Sequence, residues 1–416
     1  MQVRRLAMVL AVLVLPSCTR WDYWRGEKAY KAGDYKTAIR RLTPLANGGF
    51  AEAQYALGRM YARGEGVPKD RVEAVRWLRK AADQGFANAE YSLAWSYHNG
   101  SGVPKHLGEA VRWYRKAADQ GNPDAQCNLG SMYADGEGVP KDDVEAARWY
   151  RKAADQGETD SQARLGWMYA HGSGVSKDDV EAARWYRKAA DKGNVYAQAN
   201  LAWVYETGTG VPKNLAEAAR WYRRAADKGD AYAQFKLGVM YEGCTCVSRD
   251  DAQAVRWYRK AADQGFANAQ AQLGTMYENG RGVPLNAAEA ARWYRKAADQ
   301  GNAHAQAQLG LMYANGTGVP RDDTEAARWY RKTADQGNTN AQFTLGGMYE
   351  SGTGVPRDLV EAYKWNALAA AGGESVASAA HQERDRVERL MTPSQIAEGQ
   401  QRAREWVAHS EEEKKR

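Results

Sequence analysis

A tryptophan recurs every 36 residues, nine times without a slip, at Trp77, Trp113, Trp149, Trp185, Trp221, Trp257, Trp293, Trp329 and Trp365. A fixed period between roughly 20 and 50 residues marks a stacked array, in which each unit buries its apolar face only against its neighbours. Length alone, 416 residues, would suggest two or three globular domains. The repeat instead predicts one continuous seam built unit by unit. A residue kept in every unit serves packing, so function is to be sought where the units differ.

The segment Asp124–Glu158 shows the grammar of one unit. Ala125, Leu129, Met132 and Tyr133 fall on one side of a helix near Asp124–Ala134. Gly136 closes that helix in the left-handed conformation, and Pro140 prevents its resumption. Asp142 followed by Glu145 reads as a capping box for a second helix, and the pair recurs as Asp70/Glu73, Asp178/Glu181, Asn214/Glu217, Asn286/Glu289, Asp322/Glu325 and Asp358/Glu361. Ala146, Trp149, Ala153 and Ala154 then point inward, and Gly157 ends the helix. Asn122, Asn194, Asp230, Asn302 and Asn338 cap the first helix of the unit that follows. Position 58 and its equivalents are Gly or Ala throughout, although Gly inside a helix costs up to about 1 kcal/mol relative to Ala. Close approach of a neighbouring helix is the expected reason.

The pattern Ala-Gln-x-x-Leu-Gly-x-Met-Tyr-x-x-Gly-x-Gly-Val-Pro-x-Asp, completed by Ala-x-x-Trp-Tyr-x-x-Ala-Ala-x-x-Gly, resembles the Sel1-like repeat, a relative of the tetratricopeptide repeat. The resemblance implies an all-α fold: an α/α solenoid of about nine 36-residue helix-turn-helix units, with the first helices lining the concave side. It also implies an adaptor or scaffold for other proteins. The nine units occupy 51–373. Residues 18–50 read as a tether and a tetratricopeptide-like N-terminal cap carrying Ala29–Ala38, residues 374–408 as C-terminal capping helices, and residues 409–416 as a charged tail.

Nine internal copies permit a comparison within the chain. Positions equivalent to Ala53, Leu57, Met60 and Tyr61 hardly vary and read as core. Positions equivalent to 52, 56, 59 and 63 vary freely and share one face of the first helix. That face carries Trp95, Trp167 and Trp203 where the other units have Arg59, Ser131, Val239, Thr275, Leu311 and Gly347. Arg59, Arg164, His171, Tyr196, Asn200, Tyr232 and Lys236 lie on the same stripe. Trp, Tyr and Arg dominate binding hot spots. These residues are therefore the candidate partner-binding groove, for an extended peptide or other protein partner. Aromatic platforms also hold sugar rings, which makes polysaccharide a second occupant, and packing of the three Trp into the core is the plain alternative.

The first 17 residues stand apart. Arg4 and Arg5 precede the apolar run Leu6–Leu15, too short to span a bilayer, which takes roughly 20 residues. Leu15-Pro16-Ser17-Cys18 resembles the bacterial lipobox. The resemblance implies a signal peptide over 1–17, a lipid on Cys18 and a periplasm-facing place in the cell envelope, with Thr19 favouring the outer membrane. An ordinary secretory signal with Cys18 incidental is the other reading.

Chemistry is sparse. The six His are scattered singly, with no metal spacing, nucleophile elbow or phosphate loop. No cofactor, metal or catalytic residue is expected. A cysteine-rich branch of the family contains β-lactam-directed hydrolases, but the repeated cysteine pairs of that branch are missing. Cys127 reads as a buried free thiol. Cys244 and Cys246 replace both loop glycines of their unit, and a bridge between them stays open. The formal charge is +7, or +5 without Arg4 and Arg5, yet bases recur beside acids on every second helix, acids early and bases late. That is a solvated structural face, and no nucleic-acid partner is expected. A cell-envelope scaffold that does no catalysis is the expected function, with a cell-wall or β-lactam-directed hydrolase and a glycan-binding export scaffold as alternatives.

Overall fold

Each 36-residue period folds as two antiparallel helices joined by the Gly-x-Gly-Val-Pro turn, in a computed structural model that describes residues 17–243, 247–372 and 376–415. The segment 1–16, with most of the signal-peptide reading, and Cys244 and Cys246 lie outside the described residues. Two units divide the chain, Met1–Lys213 and Asn214–Arg416. Within each, consecutive helices pack pairwise into an α/α solenoid, and the described residues contain no strand.

Repeat 3 shows how the sequence builds the pair. Its first helix, Pro123–Asp135, starts where the Asn122 side chain accepts the Ala125 N–H. It ends at Gly136, whose φ of 73° lies in the left-handed region that favours Gly. The second helix, Asp143–Asp155, is capped by Asp142, which accepts the N–H groups of Val144 and Glu145. Ala146, Trp149, Tyr150, Ala153 and Ala154 are all buried.

The expected capping box forms by half. The N–H of Asp142 donates to the Tyr133 carbonyl at 2.9 Å, so Glu145 has no cap N–H to bind and pairs with Arg148 at 3.1 Å instead. The same exchange recurs at Asp70, Asp178, Asn286, Asp322 and Asp358, whose N–H groups go to Tyr61, Tyr169, Tyr277, Tyr313 and Tyr349.

The recurring small residue of the first helix has its reason in the second helix of the same repeat. A Cβ on Gly166 would stand 2.8 Å from the Tyr186 ring, and one on Gly130 would stand 2.9 Å from Tyr150. The second loop glycine fixes the next repeat. A Cβ on Gly174 would meet the Asp143 carbonyl at 1.9 Å, at the start of the preceding second helix.

The bases on the second helices do more than face solvent. Arg79, Arg115, Arg151 and Arg187 each hydrogen-bond the tyrosine hydroxyl of the following first helix, at Tyr97, Tyr133, Tyr169 and Tyr205. Lys80, Lys116, Lys152 and Lys188 lie 3.8–4.0 Å from the centres of Trp77, Trp113, Trp149 and Trp185. They cover the buried indoles as cation–π lids.

Both ends depart from the expected boundaries. Helix Ser17–Lys31 begins at once, leaving no separate tether after Cys18, and packs on Tyr35–Asn47. At the other end, Ala377–Glu388 precedes Pro393–Lys415. The tail expected at 409–416 is thus helical as far as Lys415. Its Glu and Lys are good helix formers and no Gly or Pro interrupts them.

Candidate functional site

Trp95, Trp167 and Trp203 project from the first helices of repeats 2, 4 and 5 and are 46%, 39% and 41% exposed. The nine periodic tryptophans are buried. The variable position therefore presents part of each indole to solvent, unlike the nine periodic tryptophans.

Arg164, Trp167 and Tyr196 line one concavity of about 880 Å³ in the first unit. Trp95 and Arg59 line a smaller one of about 350 Å³. Tyr91 borders both. His171 stacks on Trp167 with ring centres 4.3 Å apart, and its Nδ1 lies 2.9 Å from the Trp167 carbonyl oxygen. That contact holds the indole in place. Asn200 donates to the Tyr196 carbonyl at 2.8 Å, one turn from Trp203 on the same helix. Tyr232 and Lys236 belong to the second unit, on helix Ala231–Gly243, where Tyr232 meets Tyr222 and Phe266 edge-on. They are not among the residues that line the cavity of the first unit.

Several lining residues escape a reading based on positions 52, 56, 59 and 63. Tyr91 and Cys127 occupy position 55, which also varies between repeats. Tyr150 reaches the cavity from a second helix, and its hydroxyl donates to Ser131 at 2.9 Å. Burial pushes this phenol up to about 12, so it stays a neutral donor. Burial likewise pushes the Cys127 thiol up to about 12, which keeps it protonated and a poor nucleophile. Glu158 caps its helix by accepting the N–H groups of Asp160 and Ser161. Burial raises its carboxyl, but hydrogen bonds from Ser161 and Asp160 outweigh that and hold it below the ordinary carboxylate range.

The lining is acidic in a basic chain: Asp124, Asp135, Asp143, Glu158 and Asp160 stand against Lys141 and Arg164. Such a surface can stack aromatic or cationic side chains and pair with bases. Among the described residues, no group of three or more His, Cys, Asp or Glu is placed to hold a metal ion.

Comparison with known proteins agrees with this architecture. The Sel1 repeat family model matches nine consecutive segments, from 51–86 through 339–374. The crystal structure of a protective antigen present in uropathogenic Escherichia coli strains, described as displaying an SLR fold, is 33% identical. It covers 94% of this chain and 92% of its own, with a TM-score of 0.64. A Sel1 repeat protein from Oxalobacter formigenes is 37% identical over 74% of this chain and 90% of its own, with a TM-score of 0.58. No curated protein matches the chain.

Proposed function

The chain belongs to the Sel1 repeat family, a fold generally used for protein–protein interaction, and from that premise we propose that it is a non-catalytic scaffold of the bacterial cell envelope. A partner protein docks an extended segment along the first-helix face of the first unit. The observation that carries this reading is the row of exposed indoles at Trp95, Trp167 and Trp203, on a face that packing leaves free to vary. The acidic lining favours a segment carrying Arg or Lys together with apolar side chains. Trp167 and Tyr196 then stack its apolar or cationic groups, and the carboxylates pair with its bases.

The envelope location rests on the basic, apolar and cysteine-containing start of the sequence, with a lipid on Cys18 as the anchor. No helix among the described residues is long and apolar enough to cross a membrane.

The test is capture from detergent-solubilised envelope extract by the chain and by a folded Trp95→Ala/Trp167→Ala/Trp203→Ala variant. At about 2 kcal/mol per hot-spot indole, the variant should lose the partner by well over tenfold. A partner held equally by both would remove the site from this face. Polysaccharide in place of protein would replace the scaffold reading with a glycan-binding one.

A further inference from the structure

We propose that helix Ser17–Lys31 is a membrane-surface element, with Trp21 and Trp24 seated at the boundary between headgroups and acyl chains and its bases on anionic phospholipid headgroups. The two faces of this helix are chemically separate. Between Thr19 and Lys31 every exposed residue is a tryptophan or a base: Arg20, Trp21, Trp24, Arg25, Lys28 and Lys31. Trp21 and Trp24 are 53% and 56% exposed, and among the described residues of the first unit the other large apolar side chains that match Trp21 are Val72, Val144 and Val180.

The inner face is fixed by packing. Gly26 is buried where a Cβ would stand 2.8 Å from Leu42, Tyr23 meets Phe50 edge-on at 5.2 Å, and the Tyr30 hydroxyl donates to Glu65 at 2.7 Å. The outer face is therefore held in one orientation. The acids of the helix lie off it or are already engaged. Asp22 pairs with Arg41 at 3.2 Å, and Glu27 with Lys31 at 3.0 Å. Arg25 lies 3.9 Å from the Trp21 ring centre and Lys28 lies 5.3 Å from that of Trp24, so cations and indoles form one patch.

A lipid surface fits this pattern better than a protein groove. Indoles flanked by Lys and Arg are what the headgroup region selects, and a face with an excess of bases, its two acids Asp22 and Glu27 both ion-paired, complements anionic lipid. The helix also comes directly after the apolar run Leu6–Leu15 and contains Cys18 in its first turn, so the chain itself carries this face to a membrane. One short helix with two indoles binds weakly and reversibly. Its consequence is to set how the first unit stands on the bilayer, whether or not Cys18 carries a lipid.

The test uses the chain from Thr19 onward, which keeps Thr19–Lys31 of this helix and every helix after it and removes the apolar run and Cys18. Its failure therefore says nothing about the lipid anchor or the groove. Co-sedimentation with vesicles of phosphatidylglycerol and phosphatidylcholine should exceed that with phosphatidylcholine alone. Trp21→Ala/Trp24→Ala should cut the partition by about tenfold with unchanged circular dichroism. Arg20→Gln/Arg25→Gln/Lys28→Gln should abolish the preference for anionic vesicles and its salt sensitivity. Equal partition of all three proteins, or no binding by the parent, overturns the proposal. A concentration-dependent dimer lost in the Trp variant also overturns it and assigns the face to a second copy.

Discussion

Eight of the nine repeats place a glutamine at one buried position of the first helix, and the second repeat places Glu90 there. The glutamine joins two repeats. Gln54, Gln126, Gln162 and Gln198 donate through Nε2 to the carbonyls of Ala46, Ala118, Ala154 and Ala190 at 3.0–3.1 Å, at the end of the preceding second helix. Glu90 is 3% exposed and accepts from Gln120 at 2.7 Å, but a carboxylate has no N–H for the equivalent Ala82 carbonyl. Burial raises its pKa, with Lys116 and the Gln120 bond pulling it part of the way back. Glu90 therefore holds its proton more readily in the folded chain than in the unfolded one. The associated stability is complete below the ordinary carboxylate range and is lost as pH rises through the elevated folded value. Glu90→Gln supplies the missing donor permanently. It should raise stability by about 1 kcal/mol at neutral pH, with the gain shrinking toward zero near pH about 4. Urea unfolding midpoints of both proteins at the two pH values check this, and an equal gain at both would remove protonation from the explanation.

Consecutive helices are tied by a second amide as well. Gln84 and Gln156, in the turns after two second helices, donate to Gln54 and Gln126 at 2.7 and 2.8 Å. In repeat 4 the corresponding residue is Lys192, whose ammonium goes to the Gly157 carbonyl at 2.7 Å, and the buried Gln162 Oε1 has no partner. The second unit shows one side chain serving both acceptors: Gln336 donates to Gly301 at 3.1 Å and to Gln306 at 3.0 Å. Lys192→Gln should therefore stabilise the first unit by about 1 kcal/mol, read as a higher melting temperature. A lower melting temperature would mean the ammonium contact outweighs the unpaired oxygen. Gly174→Ala belongs to the same scale. A Cβ 1.9 Å from Asp143 O at φ +67° forces two repeats apart, and a loss of about 2 kcal/mol or more is expected on chemical denaturation. The helix pairs, their caps and the small residue opposite Tyr186 were legible because each depends on spacing within one period. These amide ties were not, since a conserved Gln gives no sign of which carbonyl it meets. For the same reason the variable stripe exposed Trp167 and Arg164 but missed Tyr150, which reaches the cavity from another helix.

Across the whole chain, a stacked array must close each end, and the second unit shows how the far end does so. The last helix, Pro393–Lys415, lies on the second helix of repeat 9. Gly399 leaves room for the Tyr363 ring, where a Cβ would stand 2.8 Å away. Trp406 meets the fully buried Trp365 edge-on at 6.4 Å, and Arg402 pairs with Glu361 at 2.7 Å. A chain ending before Pro393 would open Tyr363 and Trp365 to water. Such aromatics bury about 150–250 Å² each, so even partial uncovering costs on the order of 5 kcal/mol. In an array stabilised by nearest-neighbour contacts that cost stays local. Amide hydrogen exchange should show protection lost in Leu359–Ala371 and weakened in Thr339–Ser351, with Ala267–Asn279 unchanged. The truncated chain should also bind a hydrophobic dye that the full chain excludes. Loss of protection spread evenly through the second unit would mean that its repeats unfold as one block, and the last helix would then be a structural keystone and not an end cap.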